Sequence, residues 1–229
     1  MKVSQVIKQA LKWEGKSETN GSFKEIIDLY NTQKPLPRGY KVKYTDEWCA
    51  TFISALAVKL NCTDIIPTEC SCQRMIEKFK TINCWIENEN RTPSIGDIIF
   101  YDWQDDGKGD NKGWSDHVGI VIEVNDNKVT VLEGNYKNKV SRRIIKVNDK
   151  YIRGYGVPKY EEECTVEYFE KYTGRSLSLV DALKSIGQPS SFMYRSKIAL
   201  ANDIASYKGD SSQNDKMLIL LSKGILKKP

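Results

Sequence analysis

Histidine is almost absent from this 229-residue chain, and His117 is its single copy. Multi-histidine zinc or copper sites are therefore excluded, and any chemistry that needs an imidazole must use His117. No apolar run reaches the roughly 20 residues needed to cross a bilayer, so no membrane span is expected. Met1 to Lys16 is polar and patterned as a helix, without an apolar leader segment, so no secretory signal peptide is expected either. Cysteine occurs six times, at Cys49, Cys62, Cys70, Cys72, Cys84 and Cys164, but not in a metal-binding pattern. Cys70-Ser71-Cys72 is tighter than a paired CxxC, and neither a second pair nor an accessory histidine follows. With no leader the expected compartment is reducing. Buried free thiols are expected rather than disulfides, with no structural metal and no cofactor.

Hydrophobic residues make up 40% and charged residues 28% of the chain, ordinary proportions that argue against global disorder. The length suits one good-sized domain plus something smaller. Charge is unevenly placed. Residues 171–229 hold 10 basic and 4 acidic side chains, net +6, whereas residues 1–170 hold 25 and 26, net −1. A neutral body with a basic tail suggests a catalytic part joined to a part that meets an anionic surface.

Ser4–Glu14 reads as an amphipathic helix with Val6, Ile7, Ala10 and Leu11 on one stripe. Ser22 is expected to cap a second helix whose apolar face is Phe23, Ile26, Ile27 and Tyr30. Residues 34–44, with two prolines and a glycine, form a loop. Thr45 or Asp46 is expected to cap a third helix, in which Cys49, Phe52, Ile53, Leu56, Ala57 and Leu60 follow a helical period. Cys49 then sits in the first turn, where backbone N–H groups and the helix dipole favour a thiolate. Residues 71–80 read as another short helix. From Pro93 the pattern turns to strands, at 98–101, 117–124, 129–135, 140–147 and 151–157. Residues 102–115, rich in Asp, Gly and Lys, should be an exposed loop. Residues 161–163 look like a linker. Helices are expected near 179–186, 192–202 and 213–221, as a compact helical module over 165–229.

The hairpin tests whether a base can reach Cys49. His117 and Gly119 share one face of their strand, and Glu133 and Asn135 share one face of the next. A two-residue turn would set His117 and Glu133 on opposite sides. A three-residue loop, Asn125-Asp126-Asn127, pairs 124 with 128, 119 with 133 and 117 with 135, and gathers all three polar groups. The three-residue loop is expected. Cys49 would then attack as thiolate, His117 would shuttle its proton, and Glu133 or Asn135 would orient the imidazole. The Cys49 backbone N–H would hold the oxyanion. Each of these residues alone has an ordinary structural reading; the joint pattern is far rarer by chance.

Four segments carry a family resemblance: Tyr44-Thr-Asp-Glu-Trp-Cys49-Ala-Thr-Phe52, Gly96-Asp-Ile-Ile-Phe100, Asp116-His117-Val-Gly-Ile-Val121 and Glu133-Gly-Asn135. In this order they resemble the CHAP family, cysteine- and histidine-dependent amidohydrolases/peptidases of the NlpC/P60 superclass. The Trp-Cys-Ala start is similar to CHAP rather than to the Asp-Cys-Ser-Gly of NlpC/P60 proper. The resemblance covers roughly residues 1–158. It implies a papain-like α+β fold with N-terminal helices packed on an antiparallel sheet, and peptidoglycan hydrolysis, with Cys49, His117, Glu133 and Asn135 at the catalytic positions. Some phage members carry a calcium loop of alternating aspartates before the cysteine. Here Lys41 and Lys43 stand in the corresponding stretch and cannot coordinate Ca²⁺, so no calcium requirement is expected there.

The tail, from Tyr172-Thr-Gly-Arg-Ser through Val180-Asp-Ala-Leu to Gly224-Ile-Leu-Lys-Lys-Pro, looks like the C-terminal modules of lysins from phages of Gram-positive bacteria, which implies binding to an anionic cell wall. The expected protein is a monomeric lysin with a catalytic domain over 1–160 and a linker and helical module over 161–229. It would cleave an N-acetylmuramoyl-L-alanine amide or a peptide bond of peptidoglycan, after accumulating in the host cytoplasm. The competing reading is a non-catalytic wall-binding or effector protein with a structural thiol. Nucleic-acid binding is not expected, because no recognition motif surrounds Tyr172, Phe192, Tyr194 or Tyr207.

Overall fold

A computed structural model of the chain describes residues 1–88, 90–105, 113–162 and 166–229. The chain divides into two compact units, Met1–Glu163 and Cys164–Pro229.

The first unit begins with α1 (Val3–Leu11), α2 (Lys24–Tyr30), α3 (Cys49–Lys59) and α4 (Cys72–Thr81). Six strands follow: β1 (Trp85–Ile86), β2 (Ile98–Tyr101), β3 (His117–Asn125), β4 (Lys128–Glu133), β5 (Ser141–Lys146) and β6 (Ile152–Gly156). They form one antiparallel sheet in the order β1-β6-β2-β3-β4-β5. The architecture is α+β and papain-like. Its two-residue β1 is too short to leave a periodic signal, and the sequence pattern passed over it.

Side chains alternate across the sheet. Ile98, Phe100, Val118, Ile120 and Leu132 join the helical core. On the other face Ile99, Tyr101, Val121, Val131, Ile152 and Tyr155 form a cluster of their own. Helix α3 packs against α2 and β3 and is buried on every side from Cys49 to Ala57, rather than along a single stripe. Truncating Phe52 or Leu56 to Ala would cost about 2–5 kcal/mol.

Two expected caps are corrected. Ser22 does not cap α2: its Oγ accepts the Ser17 N–H at 3.0 Å and bonds Asn20, closing the preceding turn, and Phe23 takes the cap position. Asp46 is likewise used locally. Its Oδ2 accepts the Lys43 N–H and the Tyr40 hydroxyl, both at 2.8 Å, and Trp48 takes the N-terminal position of α3 without a side-chain cap. Short polar side chains beside a turn compete for its backbone as readily as they cap the next helix.

The β3–β4 loop is also corrected. Asn125 pairs with Lys128 and Val124 with Val129, so the turn has two residues, Asp126 and Asn127. That register alone would put His117 and Glu133 on opposite faces. A β-bulge at Ile122 shifts it back by one residue, and Val121 pairs with Val131 and Gly119 with Glu133. The turn leading into β2 accommodates the bulge: the Gly96 N–H donates to Val121 O and the Val121 N–H to Asp97 O. The expected 119–133 pairing is present, reached through a bulge instead of a longer loop. No pair joins 117 to 135, because β4 ends at Glu133 and Asn135 sits in a turn with φ 58°.

In the loop after β2, Asp102 is 4% exposed and its Oδ1 accepts the Gln104 N–H, so it is not a solvated carboxylate. Asp106 and Asp110 of the same run lie outside the described residues, as do Glu163 of the linker segment and Cys164. The rest of that segment is tied down, since the Glu161 carboxylate pairs with the Met1 amino group.

The second unit contains α5 (Leu179–Ser185), α6 (Phe192–Ala201) and α7 (Ser211–Lys223), each started by a side-chain cap, from Ser178, Ser191 and Asp210. Gly224, at φ 73°, ends α7 in the left-handed conformation that favours glycine. Leu179, Leu183, Ile198, Met217, Leu221 and Leu226 are central to its core. Asn202 follows α6 and holds both the N–H and the C=O of Lys227.

Candidate active site

Three elements converge on one point. Cys49 is the first residue of α3, His117 the first of β3 and Glu133 the last of β4. The His117 Nε2 lies 2.9 Å from Glu133 Oε2. That leaves Nδ1 as the ring nitrogen free to serve the Cys49 thiol, which His117 helps to lower. Glu133 is fully buried and His117 12% exposed.

Local packing explains how a carboxylate can lie there. Gly119 faces Glu133 across the β3–β4 pair, and a Cβ on it would meet the Glu133 Cγ at 2.7 Å and a Val131 methyl at 2.5 Å. Gly134 is pressed on α3, where a Cβ would come within 2.3 Å of Phe52. The two glycines let the Glu133 side chain cross Gly119 and let its backbone rest on the cysteine-bearing helix. The segment entering β3 is held by Ser115 Oγ, which donates to Tyr101 O at 3.0 Å, and by Asp116, which accepts the Trp103 N–H at 2.8 Å.

The electrostatics favour an ion pair. Cys49 is held well below the usual thiol range: the Cys72 thiol hydrogen-bonds to it, and the hydrogen bond and charge of His117 and the Ala50 N–H add to this against the cost of burial. Cys72, first residue of α4, lies with its Sγ 3.6 Å from that of Cys49 and is pushed up in turn by this hydrogen bond. Burial opposes a charge on His117, but hydrogen bonds and charge from Cys49 and Glu133 raise it to about 10. A thiolate beside an imidazolium is thus the favoured pair at neutral pH.

Sequence reasoning missed two members. Cys72 belonged to a motif read only as a failed metal site. Arg143, on β5, carried no motif at all. Its Nε donates to both Glu133 oxygens, at 2.8 and 3.0 Å, and its guanidinium lies 3.9 Å from the Tyr136 ring centre and 5.0 Å from that of Trp103. Two adjacent arginines on one strand, Arg142 and Arg143, one for each face of the sheet, were the available signal. Asn135 is brought near but not to the imidazole: its Nδ2 donates to Glu47, two residues before Cys49, and its Oδ1 is buried without a hydrogen-bond partner. Glu133, not Asn135, is therefore the group that the His117 ring meets.

A groove of about 860 Å³ opens beside the site, with His117, Asn135, Tyr101, Trp103, Tyr136 and Arg143 in its wall. Tyr101 and Trp103 stack at 4.8 Å. Cys49 is not part of that wall and is 6% exposed. Among the described residues, no group of three His, Cys, Asp or Glu could hold a metal ion, and no helix is long and apolar enough to cross a membrane.

A helix-borne thiol, an imidazole on an adjoining sheet and a buried carboxylate behind it define a papain-like thiol–imidazole site. Residues 39–135 match the family model of the CHAP domain, a span that contains Cys49, His117, Glu133 and Asn135. That segment is thus similar to the CHAP domain, a hydrolytic amidase/peptidase family, and the similarity suggests a peptidoglycan amidase- or endopeptidase-type hydrolase. Comparisons with curated proteins and with solved structures returned no match.

Proposed function

We propose that this protein hydrolyses an amide bond in the peptide part of peptidoglycan, with Cys49 as nucleophile. The observation that carries the reading is the His117 imidazole held at 2.9 Å by the buried Glu133, with the Cys49 thiol at the start of α3 lowered by that same imidazole. The Cys49 thiolate attacks the scissile carbonyl, and the tetrahedral oxyanion forms near the start of α3. There the backbone donors are free of helical partners, since the first helical bond runs from the Phe52 N–H to Trp48 O. The His117 imidazolium gives its proton to the leaving amine. The neutral ring then takes a proton from water, which attacks the thioester and frees Cys49. Glu133 keeps the ring oriented throughout. The second unit, with its net +6 tail and apolar core, is proposed to hold the enzyme on anionic wall polymers.

The test is mass spectrometry of purified Gram-positive peptidoglycan digested with the protein, with Cys49→Ala alongside. New L-alanine amino termini would make it an N-acetylmuramoyl-L-alanine amidase, and new ends within the stem or bridge an endopeptidase. Equal absence of soluble products from both proteins would overturn the reading in favour of a wall-binding effector whose thiol is structural.

A further inference from the structure

We propose that Arg143 is a positioning residue for this site: its guanidinium fixes the Glu133 carboxylate in the orientation in which it meets His117. The proposal rests on the reading of Cys49, His117 and Glu133 as the reacting groups. It goes beyond the family match, which ends at residue 135.

The argument starts from burial. Glu133 is 0% exposed, and a carboxyl group taken out of water needs hydrogen bonds and an opposite charge around it. Three side chains with ionisable groups face it: Tyr101 from β2, His117 from β3 and Arg143 from β5. Tyr101 contributes no charge, because burial and the Glu133 carboxylate itself keep its phenol neutral. His117 is the group whose proton the chemistry moves. Arg143 is therefore the one permanent counter-charge among the three. Beyond His117 lie the thiols of Cys49 and Cys72, with Asp116 acting on Cys72, and none of these adds a cation.

Geometry makes the role specific. The Arg143 Nε reaches both Glu133 oxygens, while Glu133 Oε2 also meets His117 Nε2, so one carboxylate is held from both ends. The guanidinium is held in turn by the faces of Tyr136, Trp103 and Tyr101, the last 5.7 Å away. Burial is the largest single influence and works against the Arg143 charge, but the hydrogen bond and charge of Glu133, with smaller contributions from its neighbours, together outweigh it and raise the guanidinium. Val131 pairs with Arg143, which places the arginine one diagonal step along β5 from Glu133 and on the same face.

The test measures Cys49 alkylation by iodoacetamide against pH, read by peptide mass spectrometry so that the other cysteines do not contribute. It needs no substrate. An ordinary thiol profile in the wild type would overturn the nucleophile reading itself, independently of Arg143. Arg143→Ala and Arg143→Lys are then compared with the wild type, alone and combined with Glu133→Gln, with near-UV circular dichroism confirming the fold. The expected result is an acid limb moved upward by about one pH unit or more in Arg143→Ala, roughly a tenfold loss of thiolate on the acid side. Arg143→Lys should move it by less. Once Glu133 is Gln, neither change should have a further effect. An unmoved limb in both single variants would overturn the proposal, and so would an equal shift that persists in the Glu133→Gln background. If Arg143→Ala does not fold, Arg143→Lys decides alone on the same two criteria.

Discussion

The two units differ in what they bury. Met1–Glu163 places Glu69, Asp97, Asp102, Glu133 and Arg153 in its interior, whereas among the described residues the second unit buries no polar or charged side chain. An all-apolar core needs only volume and pattern, and it does not fix side-chain chemistry at a point. Buried charge is costly and survives where each group has an assigned partner. The first unit is therefore where chemistry can be built, and the second is a scaffold whose surface carries its charge.

Within the first unit the same contrast recurs between two buried carboxylates. Glu69 is bound by Arg38 through three contacts of 2.9–3.2 Å, with Lys78 at 3.9 Å and a backbone N–H from Cys70. All its partners are fixed. Glu133 shares itself between a fixed cation, Arg143, and a group whose proton can leave, His117. One carboxylate holds loops together, and the other holds a reactive group in place.

Breaking that contrast at the reacting atoms should have the largest effect. Cys49→Ala and His117→Ala should each take peptidoglycan hydrolysis down by roughly 10⁴-fold or more, to background, in a turbidity or product-release assay. Glu133→Gln keeps the shape but not the charge, and should cost about 10²–10³-fold in kcat with little change in KM. Glu69→Gln is the matched control. It should lower stability by about 1–3 kcal/mol in urea unfolding while leaving the alkylation profile of Cys49 as it is. Equal kinetic effects from the two glutamine variants would erase the distinction between them.

The pH window sharpens the comparison further. The ion pair exists above the lowered Cys49 value and below that of His117, raised to about 10. As pH rises through that upper value the imidazolium loses its proton and the leaving amine loses its donor. Activity should therefore fall on an alkaline limb near pH 10. In Glu133→Gln one of the supports for the imidazolium is gone, and the limb should move toward neutral. A limb that stays in place would mean that Glu133 does not act through His117.

Asn135→Ala should fall well short of Glu133→Gln, within about tenfold in kcat. Its amide bonds Glu47 rather than the imidazole, so its loss loosens the approach to α3 and part of the groove wall. Parity between the two variants would restore Asn135 as the orienting group.

Much of this was legible from the chain because its signals are local. Helices at 179–185, 192–201 and 211–223 and strands β2 to β6 follow from apolar period and punctuation. Cys49 and His117 were legible as a helix start and a strand start. What was not legible depended on contacts distant in sequence. Ser22 and Asp46 look like caps, yet each closes a turn whose partners only the folded chain supplies. The bulge at Ile122 arises where Gly96 and Asp97 dock on β3, which no pattern within the hairpin encodes. The expected loop was one residue too long and the bulge was not foreseen; the two errors offset each other, and Glu133 met the right face. No motif marked the roles of Arg143 and Cys72, because those roles exist only relative to Glu133 and Cys49.

The smallest expected effect on chemistry returns to the two units. Removing residues 164–229 leaves the first unit its own core, its sheet and the Met1–Glu161 ion pair, which a cut at residue 160 would lose. Every side chain in the line from Cys49 to Arg143 lies within residues 49–143, so the rate on soluble muropeptides should stay within about twofold of the full chain. Binding to whole walls should weaken, and should weaken more at low salt than at high salt relative to the full chain, because the removed residues, net +4, act through charge. Undiminished wall binding, measured by co-sedimentation of Cys49→Ala with and without the second unit, would remove the role proposed for that unit and leave the groove to provide all the affinity. A large loss of rate on soluble fragments would instead show that the second unit supports the site, and that its lack of wholly buried polar side chains among the described residues is no guide to where the chemistry depends on it.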